Sequence, residues 1–397
     1  MLWASRLAQK HRQLDKSGVG ARYTASGDGV YNHPVQQSED ILIVGGGIIG
    51  LSLAWQLSRD GATVKIIERA EPGQEASHAG GGMIADLDPV LPAELFPLAQ
   101  RSAKLYPEFV AALREESGLA IDLREDGVIA FEQHPIAERI GIRPLTAEET
   151  LRMEPHLTLP PDAAYFMHER AVDPRQIVAA LLMALAKHGV EIIRNEPVER
   201  IVVEHGRAAG VATTKGTHRA GKIVNCAGAW AAQIAGAATP TMPVKGHMVA
   251  LAFPDELAMP PVEREAKRRL RHVLRSRWCY IIPRNGGRYV VGSTVEPAGF
   301  DKSLNVYRVK RLQEAAARLL PQFAEAKIAE AWCGLRPGTA DNLPMLGETC
   351  IAGYYAACGH YRDGILLTPV TAQVMSRLLL EGREDAELAR FTPRRFE

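Results

Sequence analysis

Apolar runs that break into glycine recur along this chain. Ile41-Leu-Ile-Val44 ends in Gly45-Gly-Gly47 and passes into the helix-forming run Leu51-Ser-Leu-Ala-Trp-Gln-Leu57. That order predicts strand, tight turn and helix. Thr63-Val-Lys-Ile-Ile67 predicts a second strand, closed by Glu68. Ile223-Val-Asn-Cys-Ala-Gly-Ala-Trp230 repeats the passage from a buried strand into small residues. Ile351 to Cys358 does so once more, followed by the glycine turn Gly359-His-Tyr-Arg-Asp-Gly-Ile-Leu-Leu367 and a helix through Pro369, Val374 and Leu378. Between these lie a helix over Leu98 to Glu116 and one over Gln176 to His188, the latter opened by Asp173-Pro174 and ended by Gly189. Strands at Val190 to Ile193 and Val198 to Val203 follow, and a helix–strand pair of this kind returns the chain to a parallel sheet. Thr146 reads as the cap of a short helix.

The remaining segments have a different texture. Gly127 to Phe131 and Met242 to Val249 are short strands. Trp278 to Arg284 and Arg288 to Thr294 form a hairpin about Asn285-Gly-Gly287. Val306 to Leu320 is a helix stopped by Pro321, and Arg336 is expected between a strand and a proline turn. The pattern therefore predicts an α/β part built from 39–86, 150–235 and 340–385. A strand-rich part follows from 87–149 and 236–339, entered across the proline-punctuated stretch Pro89 to Pro97. Residues 1–38 fit neither, and read as a poorly ordered extension. Leu2 to Leu14 could form a short basic helix of transit-peptide type, but an apolar secretory segment is missing.

Composition changes the picture little. A chain of 397 residues exceeds one ordinary core. The net charge of +1 gives no reason to expect nucleic acid or an anionic membrane. No apolar run reaches the roughly 18 residues of a membrane span. Five cysteines without C-x-x-C pairing argue against a disulfide framework or zinc ribbon and fit a reducing cytoplasm. The basic run Arg264 to Arg277 lacks interleaved aromatics and follows Glu263 and Glu265, so it reads as a solvated face.

The candidate chemistry lies in the turns. Gly45, Gly47 and Gly50 have G-x-G-x-x-G spacing: one glycine for the turn, one for close approach of a pyrophosphate, one for helix–strand packing. Glu68 stands about 20 residues on, where a ribose hydroxyl partner is expected. Alone this spacing serves NAD or FAD equally. Ser77-His-Ala-Gly-Gly-Gly-Met83 is a second small-residue cluster, where Ala76 and Ser77 can meet phosphates and Gly81, Gly82 and Met83 a flat ring; it also fits a surface loop. Gly228 can pass the same ligand. Arg336 suits a carboxylate through its planar fork or a structural ion pair, and Tyr280 a second hydrogen bond or a core position. Lys245 near a reduced flavin would favour oxygen reduction, or is a surface strand lysine. No paired carboxylates, Ser-His-Asp set or metal cluster accompanies them. His78 and His360 read more readily as packing residues than as general bases.

With these residues in hand, the chain resembles the flavin-dependent amine oxidases of the D-amino acid oxidase group, and within it the glycine oxidases of thiamine pathways. The resemblance covers about residues 40–385. It rests on the ordered set Gly45 to Gly50, Ser77 to Met83, Val172-Asp-Pro-Arg175, Asn225 to Trp230, Tyr280-Ile-Ile-Pro-Arg284, Gly334-Leu-Arg-Pro-Gly-Thr339 and Gly359 to Leu367. Two features depart from it: the amino-terminal extension, and Tyr361 where Phe is usual.

The resemblance implies a Rossmann-like FAD-binding domain of glutathione-reductase-like, D-amino acid oxidase type, with a discontinuous antiparallel-sheet substrate domain. It implies non-covalent FAD, although Cys333 lies in a region where some relatives attach flavin through cysteine. The implied cofactor contacts are Gly45, Gly47, Ile48, Ile49 and Gly50; Glu68 and Arg69 at the adenosine end, with a backbone contact from Val198; Ala76, Ser77, Gly81, Gly82 and Met83; Gly228; and the turn His360, Tyr361, Arg362, Asp363, Gly364, Ile365 and Leu366. Arg336, Tyr280 and Arg362 are the implied substrate contacts, with no metal and no protein general base. The implied reaction oxidises glycine, and as poorer substrates sarcosine or small D-amino acids, by hydride transfer to FAD, with O2 as acceptor. Hydrogen peroxide, ammonia and the imine or its keto acid result, and the imine is handed to a thiazole synthase. A cytoplasmic homo-oligomer such as a tetramer is implied as well. Another D-amino acid or N-methyl amino acid oxidase or dehydrogenase, or a non-catalytic flavoprotein, are the competing expectations.

Overall fold

A computed structural model describes residues 39–131, 142–159 and 163–396; the expectations for residues 1–38 lie outside them. The Glu39–Val44 strand is the centre of the first sheet because it is apolar on both faces. Ile41 and Ile43 are buried on one side, Leu42 and Val44 on the other, each in a separate cluster. A strand covered on both faces reads as a continuous apolar run for that reason. It pairs in parallel with Val64–Ile67 and with Gly216–Asn225. Glu191–Ile193 and Tyr354–Cys358 extend the parallel sheet outward.

Helices cover one face and a small antiparallel meander the other. Ile48–Arg59, Pro174–Lys187 and Thr368–Glu381 pack against Ile41 and Ile43. The Asp173 carboxylate accepts from the Arg175 N–H at 2.9 Å, and Pro174 occupies the first turn, so that helix starts where its signals predict. Val198–Glu204 and Arg207–Thr213 fold over the opposite face through Ile201, Ala208 and Val211.

The second sheet runs Lys327–Gly338, Met242–Ala252, Arg288–Gly292, Tyr280–Arg284, Val273–Ser276, Val128–Phe131, Ala164–Met167 and Pro144–Leu145. It is antiparallel except where Val273–Ser276 lies parallel to Val128–Phe131. The amphipathic helix Val306–Leu319 packs its apolar stripe, Val309, Leu312, Ala316 and Leu319, behind it. A three-stranded sheet of Met83–Ile84, Arg170–Val172 and Leu123–Arg124 stands beside these two.

Packing cuts across the boundaries expected at 87 and 150. The long helix Phe96–Ser117 joins the helices of the parallel sheet through Leu98, Tyr106, Val110 and Leu113. Conversely, Ala164–Met167 joins the second sheet. Both sheets lie within one compact unit, Ser38–Glu397. Arg336 and Pro337 lie inside a strand rather than at a turn. The basic run is only partly a solvated face. Lys267 pairs with Glu263 at 2.7 Å and Arg269 with Asp255 and Glu256 at 2.7 Å each, whereas Arg275 is buried against Glu169 at 2.9 Å. No described helix is long and apolar enough to cross a membrane.

Candidate active site

A cavity of about 570 Å³ lies outside the carboxyl ends of the parallel strands, where open α/β sheets place their ligands. Its floor begins at the fingerprint. Gly45 has φ +108°, and a Cβ there would meet the Cys226 carbonyl oxygen at 2.5 Å. Gly50 is a packing glycine away from the cavity lining: its Cβ would meet the Gly45 carbonyl oxygen at 2.1 Å, so the helix could not seat on the strand. Gly47, Ile48 and Ile49 line the cavity, and Gly47 caps the helix without a side chain. The first turn carries no acidic residue, so its amides and dipole favour an anion. One amide, Ile48 N–H, donates to the Ser77 hydroxyl at 2.9 Å.

Glu68 and Arg69 end the second strand at the same rim. The Glu68 carboxylate is buried and accepts from Gly46 N–H at 2.6 Å and Ala70 N–H at 2.9 Å. These bonds fix its position and leave lone pairs for a hydroxyl donor. Arg69 stacks over Trp230, its guanidinium carbon 3.7 Å from the ring centroid, and pairs with Glu75. Val198 and Gly228 line this end. The described side chains thus offer glycine clearance, an open helix terminus and an anchored carboxylate, a set that fits a dinucleotide.

The other end is bounded by the second glycine cluster, the second sheet and the turn after Cys358. Ala76, Ser77, Gly81, Gly82 and Met83 line it, as do His360, Tyr361, Arg362, Asp363, Gly364, Ile365 and Leu366. His360 is buried, its Nε2 3.1 Å from the Thr371 hydroxyl, and burial pushes its pKa down to about 3. It is a neutral hydrogen-bonding residue. Burial pushes the Asp363 carboxyl up to about 7, against the pull of Arg362. His78 does not line the cavity; its carbonyl accepts from Arg175, which is held by Glu330.

Arg336 and Tyr280, expected on the substrate side, meet on one face of the second sheet. Cross-strand register sets Trp332, Met248, Gly292 and Tyr280 in one row across four strands. Gly334 and Gly246 pair in the next row, and Arg336 pairs with Val244 beyond. The Arg336 guanidinium donates to the Ser293 hydroxyl at 2.7 Å and the Thr294 carbonyl at 3.0 Å. No carboxylate among the described residues pairs with it. Burial lowers its pKa from the ordinary value, opposed by Tyr280. Gly246 makes room for it, since a Cβ there would lie 2.3 Å from Nη1. The Tyr280 hydroxyl donates to Met248 Sδ at 3.3 Å, and burial raises its pKa. Arg362 is exposed and lines the same cavity, without an ion-pair partner among the described residues.

Strand alternation takes two candidates out of the cavity. Lys245 precedes Gly246 and so points to the opposite face, where it is buried and pairs with Asp301 at 2.9 Å. It does not line the cavity. Cys333 likewise faces away, its thiol donating to the Lys302 carbonyl at 3.0 Å. Residues that sequence alone did not bring forward are Gly246, Gly292, Met248, Ser293 and Thr294. Their importance follows from cross-strand register, which no local motif encodes.

A family model for FAD dependent oxidoreductases, DAO, matches residues 40–378. Glycine oxidase from Geobacillus kaustophilus, a solved structure, superposes with a TM-score of 0.81 at 32% identity, covering 90% of this chain and 98% of its own. The bifunctional protein ThiO/ThiG of Trichormus variabilis is 32% identical over 91% of this chain, which spans only 55% of that relative's length. The hydrogen cyanide synthase subunit HcnC of Pseudomonas aeruginosa is 29% identical, over 91% of this chain and 97% of its own. The chain belongs to the FAD-dependent oxidoreductase family, and its cofactor is FAD.

Proposed function

We propose that this member of the family oxidises glycine, and less well sarcosine or small D-amino acids, and passes the electrons to O2. The observation that carries the reading is Arg336: a charged group held in a cavity wall by neutral acceptors, with no carboxylate of the described protein beside it. Buried charges are expensive unless paired, so the site is built to receive its counter-charge. A planar fork takes a carboxylate through two parallel hydrogen bonds. Tyr280, on the same sheet face, supplies a further donor to that carboxylate, and Arg362 a second positive charge at the cavity wall.

FAD, when bound, accepts the hydride and returns both electrons to O2 as hydrogen peroxide. The protein's part is to bind, orient and exclude water. Gly45, Gly47 and the open helix terminus hold the pyrophosphate, with Glu68 on the ribose and Arg69, Val198 and Trp230 around the adenosine end. Gly81 to Met83 and the turn His360 to Leu366 hold the ring. Arg336 and Tyr280 fix the carboxylate, which leaves the α-carbon and its amine toward the ring. The amine must be neutral at transfer, and its lone pair stabilises the imine as it forms. Neither histidine considered above serves as a base in the cavity: burial pushes the His360 pKa down to about 3 and its Nε2 is engaged by Thr371, while His78 lies outside the lining. We read the cofactor as non-covalent, because Cys333 faces the other side of its strand. Acid precipitation tests that: yellow retained in the pellet would defeat it.

The similarity to bifunctional ThiO/ThiG proteins supports a role in forming the thiazole of thiamine, with the imine passed to a thiazole synthase. A homo-oligomer in the cytoplasm belongs to the same reading and is checked by light scattering and fractionation. The similarity to HcnC, a hydrogen cyanide synthase subunit matched over nearly its whole length, fits the competing reading, another amino-acid oxidase or dehydrogenase of the family. Anaerobic reduction of the bound flavin by glycine, sarcosine and D-proline, followed by peroxide assay after admitting air, separates these. Flavin that no amino acid bleaches would exclude both.

A further inference from the structure

Arg284 ends the strand that carries Tyr280, and its side chain lies on the same sheet face, four residues along. It is buried, yet it does not line the cavity. Its Nη2 donates to two backbone carbonyls, that of Gly81 at 2.5 Å and that of Val172 at 2.7 Å. Nη1 is buried without a hydrogen-bond partner among the described residues. Asp173 and Asp122 act on it only through space. A guanidinium spent on two carbonyls deep in the protein is an expensive anchor, and the peptide it holds is the one at the ring end of the cavity.

The Gly81–Gly82 peptide is trans, since the single cis bond of the described chain is Gly292–Ser293. In a trans peptide the C=O and N–H point in opposite directions. Arg284, which does not line the cavity, takes the Gly81 carbonyl, so the Gly82 N–H points away from Arg284 at a position that does line it. Gly82 has φ +86°, and a Cβ there would meet the Val172 carbonyl oxygen at 1.9 Å and Arg284 Nη2 at 2.7 Å. Only glycine allows the loop to lie this close to its anchor. The Val172 N–H closes the clamp by donating to the Gly82 carbonyl at 2.8 Å.

We propose that Arg284 is a positioning residue for the cofactor: by holding the Gly81 carbonyl on the sheet side, it fixes the Gly82 N–H as a donor to a polar atom of the flavin ring. A preset donor of this kind stabilises charge that builds on the ring during reduction without reorganising at that moment. The inference rests on the reading above that Gly81 to Met83 hold the ring. Because Tyr280 and Arg284 share one strand, the same element would set both the substrate carboxylate and the ring's hydrogen bond.

The test uses full-length FAD-loaded protein labelled with 15N-glycine, as wild type, Arg284→Lys and Arg284→Met. In the wild type, the Gly82 amide proton moves downfield on loading with FAD. In both variants that shift shrinks and the visible bands of the bound flavin move. The limiting rate of flavin reduction by glycine falls at least about tenfold, with the glycine concentration for half-saturation unchanged. An architectural role alone would lower thermal stability or FAD retention and leave the spectrum of the flavin that stays bound untouched. A wild-type Gly82 amide indifferent to FAD overturns the placement of the ring, and this proposal with it. A responsive amide with variants that keep the wild-type spectrum and rate overturns the role of Arg284 alone. Failure of both variants to fold would assign Arg284 to the fold and overturn it too.

Discussion

Replacing Arg336 by Leu separates a ligand-binding arginine from a structural one. Removing one partner of a hydrogen-bonded charge pair costs about 2–5 kcal/mol of binding. At about 1.4 kcal/mol per decade, the glycine concentration for half-saturation should rise about 30- to 4,000-fold. The effect on the fold should be of opposite character. The substitution forfeits bonds to the Ser293 hydroxyl and the Thr294 carbonyl, at about 1 kcal/mol each. It also relieves the desolvation of a half-buried charge with no described carboxylate beside it, which opposes that loss. The two effects oppose each other, so substrate-free Arg336→Leu should melt close to the wild-type temperature. A structural ion pair broken on one side would instead cost about 3–5 kcal/mol. Anaerobic stopped-flow reduction across a glycine series gives the first quantity, and thermal melts of the substrate-free holoprotein the second. Unchanged glycine saturation, or a marked fall in melting temperature, would refute the reasoning.

Further outcomes follow from the same geometry. Gly246→Ala should displace the guanidinium, because its Cβ would stand 2.3 Å from Arg336 Nη1; glycine saturation should weaken by about a hundredfold with FAD content intact, and an unaltered KM would contradict the placement. Lys245→Met should leave the rate of reoxidation by O2 unchanged, since Lys245 faces Asp301 behind the sheet; a slowed oxidative half-reaction would restore it as an oxygen-activating charge. Asp363 bears on pH. Its folded carboxyl titrates near 7, against an ordinary 3.8, so the folded state keeps a proton that the unfolded chain loses. Stability should therefore fall as pH rises from about 4 to about 7 and level off above. Asp363→Asn should flatten that slope in melts of FAD-free protein, and parallel profiles would count against it.

Local motifs carried the parallel sheet well and the second sheet poorly, for a physical reason. A strand buried on both faces followed by a glycine turn announces itself within ten residues, so Ile41 to Gly50 and Ala356 to Leu367 were legible. The Phe96–Ser117 helix was legible as a helix but not in its place: its apolar stripe says that it packs, not on which sheet. Ala164–Met167 shows the same limit, since a four-residue strand does not name its partner. The proposed substrate residues were legible only as types, an arginine and a tyrosine able to hold a carboxylate. What surrounds them was not, because Gly246 and Gly292 matter only once their strands have been aligned with that of Arg336.

That alignment explains why the two rejected candidates, Lys245 and Cys333, belong together. Side chains alternate along a strand, so a slip of one residue by either Met242–Ala252 or Lys327–Gly338 would exchange the faces of every residue in the strand that moved. A slip of the first would put Lys245 in the place of Gly246 beside the guanidinium, whereas a slip of the second would carry Cys333 into the cavity and Arg336 out of it. The back of the sheet opposes that slip. Lys245 is tied to Asp301 at 2.9 Å. His247, fully buried, has Nδ1 2.9 Å from Glu296 Oε1, and its Nε2 accepts from the Asn305 N–H at 3.1 Å. Asn305 in turn caps the Val306–Leu319 helix. The Glu296 carboxylate is held down by its bonds to Thr294 and His247 despite partial burial. The bonds of Thr294 run both ways, its hydroxyl to Glu296 at 2.6 Å and its carbonyl to Arg336 at 3.0 Å. The polar network behind the sheet and the glycines in front thus act on one variable, the register that leaves Arg336 facing an open site.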